Sequence, residues 1–328
     1  MKILYAVQGT GNGHLSRALD IVPVLQGLGE VDILVSGIQA DIVLPFPVKY
    51  RLHGLSFIFG KSGGVDLWRT FMSSTVRKFI QEIKDLPVEN YDLVINDFEP
   101  ISAWACQTRD IPCIGLSHQI GALDPASPKP DETDMLGKFI MKNYAPSSIS
   151  YGFHFKSYNK HIFTPVIRQS IRALEPNDKG HYTVYLPSYD DAHLLKNLSK
   201  FSDIQWDVYS KHNKKKFTVK NVTINPIQSD TFVQSMANAS GVLCGAGFET
   251  PAEALFLGKK LLVIPMKNQY EQHLNAAALE QMGVPVINSL KKKYDFAIEA
   301  WLNSKNRVPV DYPDITKEII TNIVEKHK

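Results

Sequence analysis

A short apolar run at residues 2–7 breaks into the glycine turn GTGNGH, residues 9–14. It continues as a stretch in which Leu15, Leu19, Ile21, Val22, Leu25 and Leu28 recur at helical spacing. A strand that ends in glycines and runs directly into an amphipathic helix is the opening unit of a parallel sheet. The helix has to cross back over the sheet before a second parallel strand can begin. The pattern returns at residues 241–257, where an apolar run meets the turn GAGF and then a helix-like segment. Two such units, far apart in one chain, restrict it to the α/β class.

The stretches between them agree. In the first half, residues 31–36, 48–52, 91–96 and 112–116 read as strands, and 66–84 and 103–108 as helices. Gly29 ends the first helix. The alternation then restarts, with strands at 182–186, 205–209, 221–225, 241–244 and 261–265. Helices are expected at 191–198, 231–239, 250–257, 272–282 and 315–325. Repeated strand–helix alternation means parallel sheets covered on both faces, so two doubly wound halves are expected, with a hinge in residues 161–168, where Pro165 interrupts any regular element. Residues 123–134, rich in Pro and Asp and without periodicity, read as a mobile loop.

A chain of 328 residues, 44% hydrophobic and 21% charged, has the length of about two domains and enough apolar surface to bury cores, which excludes a disordered or fibrous chain. Its net charge is +3. Residues 1–164 carry 15 basic against 16 acidic side chains and the remainder 21 against 17, so the halves stand at −1 and +4. That balance gives no reason to expect a nucleic-acid partner. Cys106, Cys113 and Cys244 are odd in number and lack metal-ligand spacing, which fits a reducing compartment and neither a disulfide framework nor structural zinc. No apolar run approaches the ~18 residues of a membrane span. The opening run is too short for a signal segment, so a cytoplasmic chain is expected.

Candidate chemistry gathers where strands end. Gly11, Asn12 and Gly13 let a ligand approach the main chain at a helix N-terminus, where the dipole favours negative charge. The spacing is neither GxGxxG nor the nucleotide-hydrolase P-loop. His14 follows at the helix start, where the dipole disfavours a charged ring and leaves it able to accept a proton; a capping or surface histidine is the alternative. Asp97 ends the apolar strand before it and can orient such a histidine, or cap the next helix; Glu99 is a second carboxylate nearby. In the second half, Gly245, Gly247 and Phe248 lead into Thr250, read as the helix cap, and Pro251. Together they form a second anion site. Glu253 is placed to accept hydrogen bonds from a ribose diol, and Glu271 and Gln272 past the next strand can read sugar hydroxyls. The adjacent Asp190 and Asp191 do not make a DxD metal pair.

These segments, above all GAGFETPAEAL at 245–255 followed by NQYEQHLNA at 268–276, resemble the GT-B glycosyltransferases over nearly the whole chain. The likeness is greatest to the branch holding the UDP-glycosyltransferases and the bacterial lipid-intermediate N-acetylglucosaminyltransferase, and to prokaryotic glycosyltransferase-like proteins with the same CGAGFET…EAL signature. The resemblance implies an α/β GT-B fold of two doubly wound Rossmann-like domains facing across a cleft. Residues 1–164 would bind acceptor, 165–312 the nucleotide-sugar, and 313–328 would form a helix packing back on the first domain.

The resemblance also implies roles. His14 would be the general base and Asp97 the residue that orients it. Gly245, Gly247, Phe248 and Thr250, helped by Ser188, would hold the donor diphosphate. Glu253 and Ile227 would hold the ribose and base, and Glu271 and Gln272 the donor sugar. Gly11, Asn12, Gly13, His118 and Gln119 would face the acceptor. Two departures stand out: Gly245 falls where plant enzymes carry a phosphate-contacting histidine, and the base-stacking aromatic near Pro226 is absent. The expected reaction is inverting transfer from a nucleotide-diphosphate sugar, UDP-linked, to a hydroxyl, with no cofactor and no metal. The acceptor would be a glycan, a lipid-linked or a small molecule. Contact with the inner membrane face is open through residues 67–84, which mix Trp68, Phe71, Val76 and Phe79 with Arg69, Arg77 and Lys78; an ordinary packed helix is the alternative. Two other functions fit the same architecture: a UDP-sugar 2-epimerase, and a non-catalytic protein binding a sugar-nucleotide or glycan.

Overall fold

The structure, a computed structural model, describes residues 1–37, 44–54, 75–132 and 134–328. Contacts divide the chain into two compact units. One comprises Met1–Ser127, Glu132–Arg168 and Tyr312–Lys328, the other Pro128–Asp131 and Gln169–Asp311.

The first unit runs β1 (Lys2–Gln8), α1 (Asn12–Gln26), β2 (Glu30–Ser36), β3 (Val48–Leu52), α2 (Thr75–Asp85), β4 (Leu93–Asp97), α3 (Pro100–Thr108), β5 (Ile114–Ser117), α4 (His118–Leu123), α5 (Met135–Tyr144), β6 (Ile149–Phe153) and β7 (Ile162–Phe163). The strands form one parallel sheet in the order β3-β2-β1-β4-β5-β6-β7. With helices on both faces, β1 buries Ile3, Leu4, Tyr5, Ala6 and Val7 completely, so it reads as a continuous apolar run. The edge strand β3 alternates half-buried and exposed positions. Each fully buried aliphatic side chain contributes roughly 1.5–3 kcal/mol.

The second unit runs α6 (Gln169–Arg172), β8 (His181–Tyr185), α7 (Asp191–Leu198), β9 (Gln205–Ser210), β10 (Phe217–Val219), β11 (Val222–Pro226), α8 (Ser229–Asn238), β12 (Gly241–Gly245), α9 (Glu249–Phe256), β13 (Lys260–Ile264), α10 (Tyr270–Gln281) and α11 (Asp295–Asn303). Its sheet has the order β10-β11-β9-β8-β12-β13, with only the β10–β11 pair antiparallel. Trp206, Val184, Leu243 and Leu262 anchor a core on which Trp301 of α11 packs. The last helix, α12 (Thr316–His327), belongs to the first unit and lies against α1.

In both sheets the strand order reverses beside the first strand, between β1 and β4 and between β8 and β12. In open parallel sheets ligands bind outside the carboxyl ends of the strands at such a switch point. Among the described residues no helix is long and apolar enough to cross a membrane.

Several boundaries differ from expectation. Helix α1 begins at Asn12, so His14 is its third residue. The helix expected over 66–84 is seen as Thr75–Asp85; Trp68, Arg69 and Phe71 lie outside the described residues. The short helix α4 escapes periodicity because six residues cannot display it. Strand β6 lies outside the strands expected from the sequence, and Gly152 sits in it where α4 packs directly on the strand: a Cβ there would collide with the backbone of Gly121.

Candidate active site

Three neighbouring strands of the first unit deliver its polar groups to one edge. The strand β1 leads into His14 and Arg17 on α1, β4 ends at Asp97, and β5 ends at Ser117, whose hydroxyl accepts from Ile120 and caps α4, carrying His118 and Gln119. Here the rule that parallel sheets are covered on both faces has a consequence: every one of these side chains is buried. Exposure is 8% for His14, 2% for Arg17 and 0% for Asp97.

The His14 ring is held at both nitrogens. Nδ1 lies 2.8 Å from Asp97 Oδ1, and Nε2 lies 3.1 Å from Gln119 Nε2. Arg17 reaches the same carboxylate with two donors, Nη2 to Oδ1 at 2.8 Å and Nε to Oδ2 at 3.0 Å. Burial pushes the Asp97 carboxyl upward, but the charges of Arg17 and His14 and their hydrogen bonds outweigh it and hold its pKa at about 2. An ionised carboxylate only accepts, so the short contact requires the hydrogen on Nδ1. In a neutral ring the lone pair is then on Nε2, which faces the Gln119 side-chain amide. Phe98, in the left-handed region at φ 56°, stacks on the ring at 6.3 Å between centroids, and the His118 ring lies 5.5 Å away.

Asp97 does not cap the following helix. Glu99 does, accepting from the amides of Ile101 and Ser102 and from the Ser102 hydroxyl, and burial raises its carboxyl's pKa. The Glu99 carboxylate is thereby committed to the start of α3. Arg17 was not singled out in the sequence, since one arginine in an amphipathic helix carries no signal of its own. The available signal was its spacing: it stands one turn after His14, on the same helix face.

The glycines divide into two kinds. A Cβ on Gly9 would stand 2.8 Å from Val35 Cγ1, and Gly121 and Gly152 meet each other's backbones, so these are required by packing. Gly11 and Gly247 have nothing within 4 Å of a Cβ and no positive φ. Neither sterics nor backbone conformation demands glycine there; what its absence of side chain leaves open is the approach to the main chain.

In the second unit, β12 ends at Gly245 and α9 starts at Glu249. The residue at its N-cap is Phe248, and no side chain caps the helix. Thr250 is therefore the second helical residue rather than the cap expected from the sequence. Helix α10 braces this turn. Gln272 Oε1 accepts from the Met266 amide at 2.9 Å and lies 3.6 Å from where a Gly245 Cβ would be, and Asn275 donates to the Ala246 carbonyl at 3.2 Å. Glu253 is 3% exposed on α9, and Glu271 is half-buried at the start of α10.

Ser188 is exposed just past β8, and Ile227 is half-buried just past β11, its amide on the Ser210 carbonyl. The N-terminus of α7 beside Ser188 is already supplied with carboxylates: Asp190 caps it at His193, and Asp191 accepts from Ser210 and Asn213. Burial pushes the Cys244 thiol up, so it is no nucleophile. Among the described residues no group of three or more His, Cys, Asp or Glu is arranged to hold a metal.

The chain is similar to solved glycosyltransferases. MurG from Acinetobacter baumannii shares 14% identity at a TM-score of 0.54, covering 99% of each chain. Arabidopsis thaliana UGT89C1, complexed with UDP, shares 14% at 0.54, covering 98% of this chain and 90% of that one. The spinosyn rhamnosyltransferase SpnG, complexed with thymidine diphosphate, shares 12% at 0.54, covering 99% and 96%. No curated protein matches the sequence. The architecture is GT-B. Residues 1–304 match the sequence model of one family, and the chain accordingly belongs to glycosyl transferase family 1 and is a glycosyltransferase.

Proposed function

We propose that the chain transfers a sugar from a nucleoside-diphosphate sugar, of the UDP class, to a hydroxyl acceptor with inversion, in a single displacement. The observation carrying this is the His14–Asp97 pair at the ends of β1 and β4, in which Asp97 faces Nδ1 and leaves Nε2 as the nitrogen for the acceptor. Nε2 takes the acceptor proton as the acceptor oxygen bonds to the anomeric carbon. The bond from that carbon to the diphosphate breaks, and its electron pair leaves with the diphosphate. Asp97 orients the ring and stabilises the imidazolium that forms.

On the donor side, the amides at the start of α9, reached past Gly245 and Gly247, take the diphosphate. Glu253 takes the ribose hydroxyls, Ile227 lies beside the base, and Glu271 and Gln272 read the sugar. Phe248, Thr250 and Ser188 complete the diphosphate side. Gly11, Asn12, Gly13, His118 and Gln119 line the acceptor side. No metal is needed in this scheme, because backbone amides supply the positive potential. UGT89C1 was solved with UDP, and SpnG with thymidine diphosphate and with the spinosyn aglycone, which supports a nucleoside-diphosphate donor and an aglycone-type acceptor here.

The experiment is a thermal-shift screen with UDP, thymidine diphosphate and their sugars, followed by transfer assays with the stabilising donor in excess EDTA. A midpoint raised by UDP and a product with inverted anomeric configuration support the reading. Stabilisation by no nucleoside diphosphate sinks it. A donor converted to a new sugar nucleotide without any acceptor would identify an epimerase instead.

A further inference from the structure

Asp97 is fully buried and receives three N–H groups, two from Arg17 and one from His14. A buried carboxylate needs a counter-charge, and removing one is far costlier than never burying the pair. In a cluster of His14 and Asp97 alone, only a protonated imidazole could supply it. Arg17 supplies it permanently, through a two-pronged contact that also fixes which carboxylate oxygen faces Nδ1. Its Nη2 stands 3.1 Å from Nδ1, and its guanidinium carbon 5.4 Å from the centre of the Phe153 ring, so the group is enclosed. The charged or titratable groups facing the His14 ring are Asp97 from β4, Arg17 from its own helix and His118 from α4.

We propose that Arg17 is a positioning residue for the transfer: as the standing counter-ion of Asp97 it lets His14 rest uncharged, with a lone pair on Nε2 to take a proton when the acceptor displaces Gln119. The inference rests on the reading of His14 as the base and deepens it. At rest the three groups sum to zero charge. When the acceptor proton arrives at Nε2 they reach +1, and when it is released to solvent they return to zero. Without Arg17 the same groups would rest at −1 with a neutral ring. The balance would favour a proton already on His14, which leaves no lone pair for the acceptor.

The test is ¹⁵N NMR of the full chain labelled at histidine, at pH 7.5 and without substrate. The His14 signals are assigned by their loss in His14→Ala. The wild-type ring is expected as the neutral form with its hydrogen on Nδ1, giving two well-separated nitrogen signals. In Arg17→Met both nitrogens are expected to be protonated, and the acidic limb of the transfer rate to move toward higher pH. Arg17→Lys, which keeps the charge and loses the fork, is expected to retain the neutral ring while transfer falls roughly tenfold, a share of the ~10²–10⁴-fold general-base contribution. It remains informative if Arg17→Met does not fold.

A neutral His14 in Arg17→Met, or a charged one in Arg17→Lys, overturns the inference. If instead His14→Ala transfers sugar at the wild-type rate, the base assignment fails. The ring's charge state, read independently, would still stand or fall by the NMR result.

Discussion

The side-chain amide of Gln119 stands 3.1 Å from Nε2 of His14, the ring nitrogen opposite the one that faces Asp97. Tethered at both nitrogens and stacked on Phe98, the ring has one orientation, and in the proposed reaction the acceptor hydroxyl takes the place of the Gln119 amide. Substituting the ring therefore removes the proposed base. His14→Ala is expected to lower transfer by about 10²–10⁴-fold. Stabilisation by UDP should be unchanged, since the donor groups are assigned to the second unit. Steady-state rates and thermal shifts on the same preparation check both halves. Wild-type turnover in the variant would remove His14 from the chemistry.

Asp97 makes stability depend on acid. Its folded pKa, about 2, lies below the ordinary aspartate value of 3.8, so the folded state binds fewer protons than the unfolded chain between those values. The stabilisation is fully present above pH 4 and is lost as pH falls toward 2. The difference corresponds to on the order of 2 kcal/mol. Denaturant unfolding of the wild type at pH 6, 4 and 2.5 should show that decline. The decline should shrink in Asp97→Asn, which is also less stable at pH 6 because Arg17 loses its counter-ion. Parallel pH curves for the two proteins would contradict the assignment.

How much of this was legible beforehand follows from the range of each signal. The strand and helix of residues 2–28 and the turn at 244–250 are local patterns, readable because buried parallel strands are continuous apolar runs and ligand turns are glycine-rich. His14 and Asp97 could be paired because both stand at strand ends, and the doubly wound order makes those strands neighbours. Arg17 could not be placed, because its role exists only once Asp97 arrives from 80 residues away. Residue type alone points to Thr250 as the cap; the chain instead enters α9 through Phe248 in a helical conformation, at φ −92° and ψ −53°, which moves the cap position back by two residues. Glu99, rather than Asp97, caps α3 because Pro100 fixes the first helical residue beside it.

The open glycines give a prediction in which ligand binding and stability part company. Gly247 has no atom within 4 Å of a Cβ and no positive φ, so Gly247→Ala meets neither clash nor strain. Its folded state is expected to be as stable as the wild type or more so, by about 0.4–1 kcal/mol, since alanine restricts the unfolded chain. The added methyl would stand where a diphosphate approaches the start of α9, so UDP should bind at least roughly tenfold more weakly, about 1.4 kcal/mol. Unfolding midpoints with and without UDP separate the two effects. Full retention of the UDP shift would mean that the diphosphate lies elsewhere.

Gly121 gives the opposite case. Its Cβ would collide with the Phe153 carbonyl oxygen and stand 2.8 Å from the Phe153 carbonyl carbon, both backbone atoms of β6 that cannot rotate aside. Helix α4 therefore lies on β6 main chain to main chain, and two residues before the contact it carries Gln119 to His14. Gly121→Ala has to lift α4 from the strand, at a cost of about 1–3 kcal/mol or more, which lowers the midpoint by several degrees. The same displacement withdraws Gln119 from Nε2, so the rate of transfer should fall in the fraction that remains folded. Binding of UDP, assigned to the second unit, should persist. Measuring the midpoint, the UDP shift and the transfer rate at a temperature well below the midpoint distinguishes displacement from unfolding. A wild-type rate and midpoint together would show that the helix yields without moving its first turn.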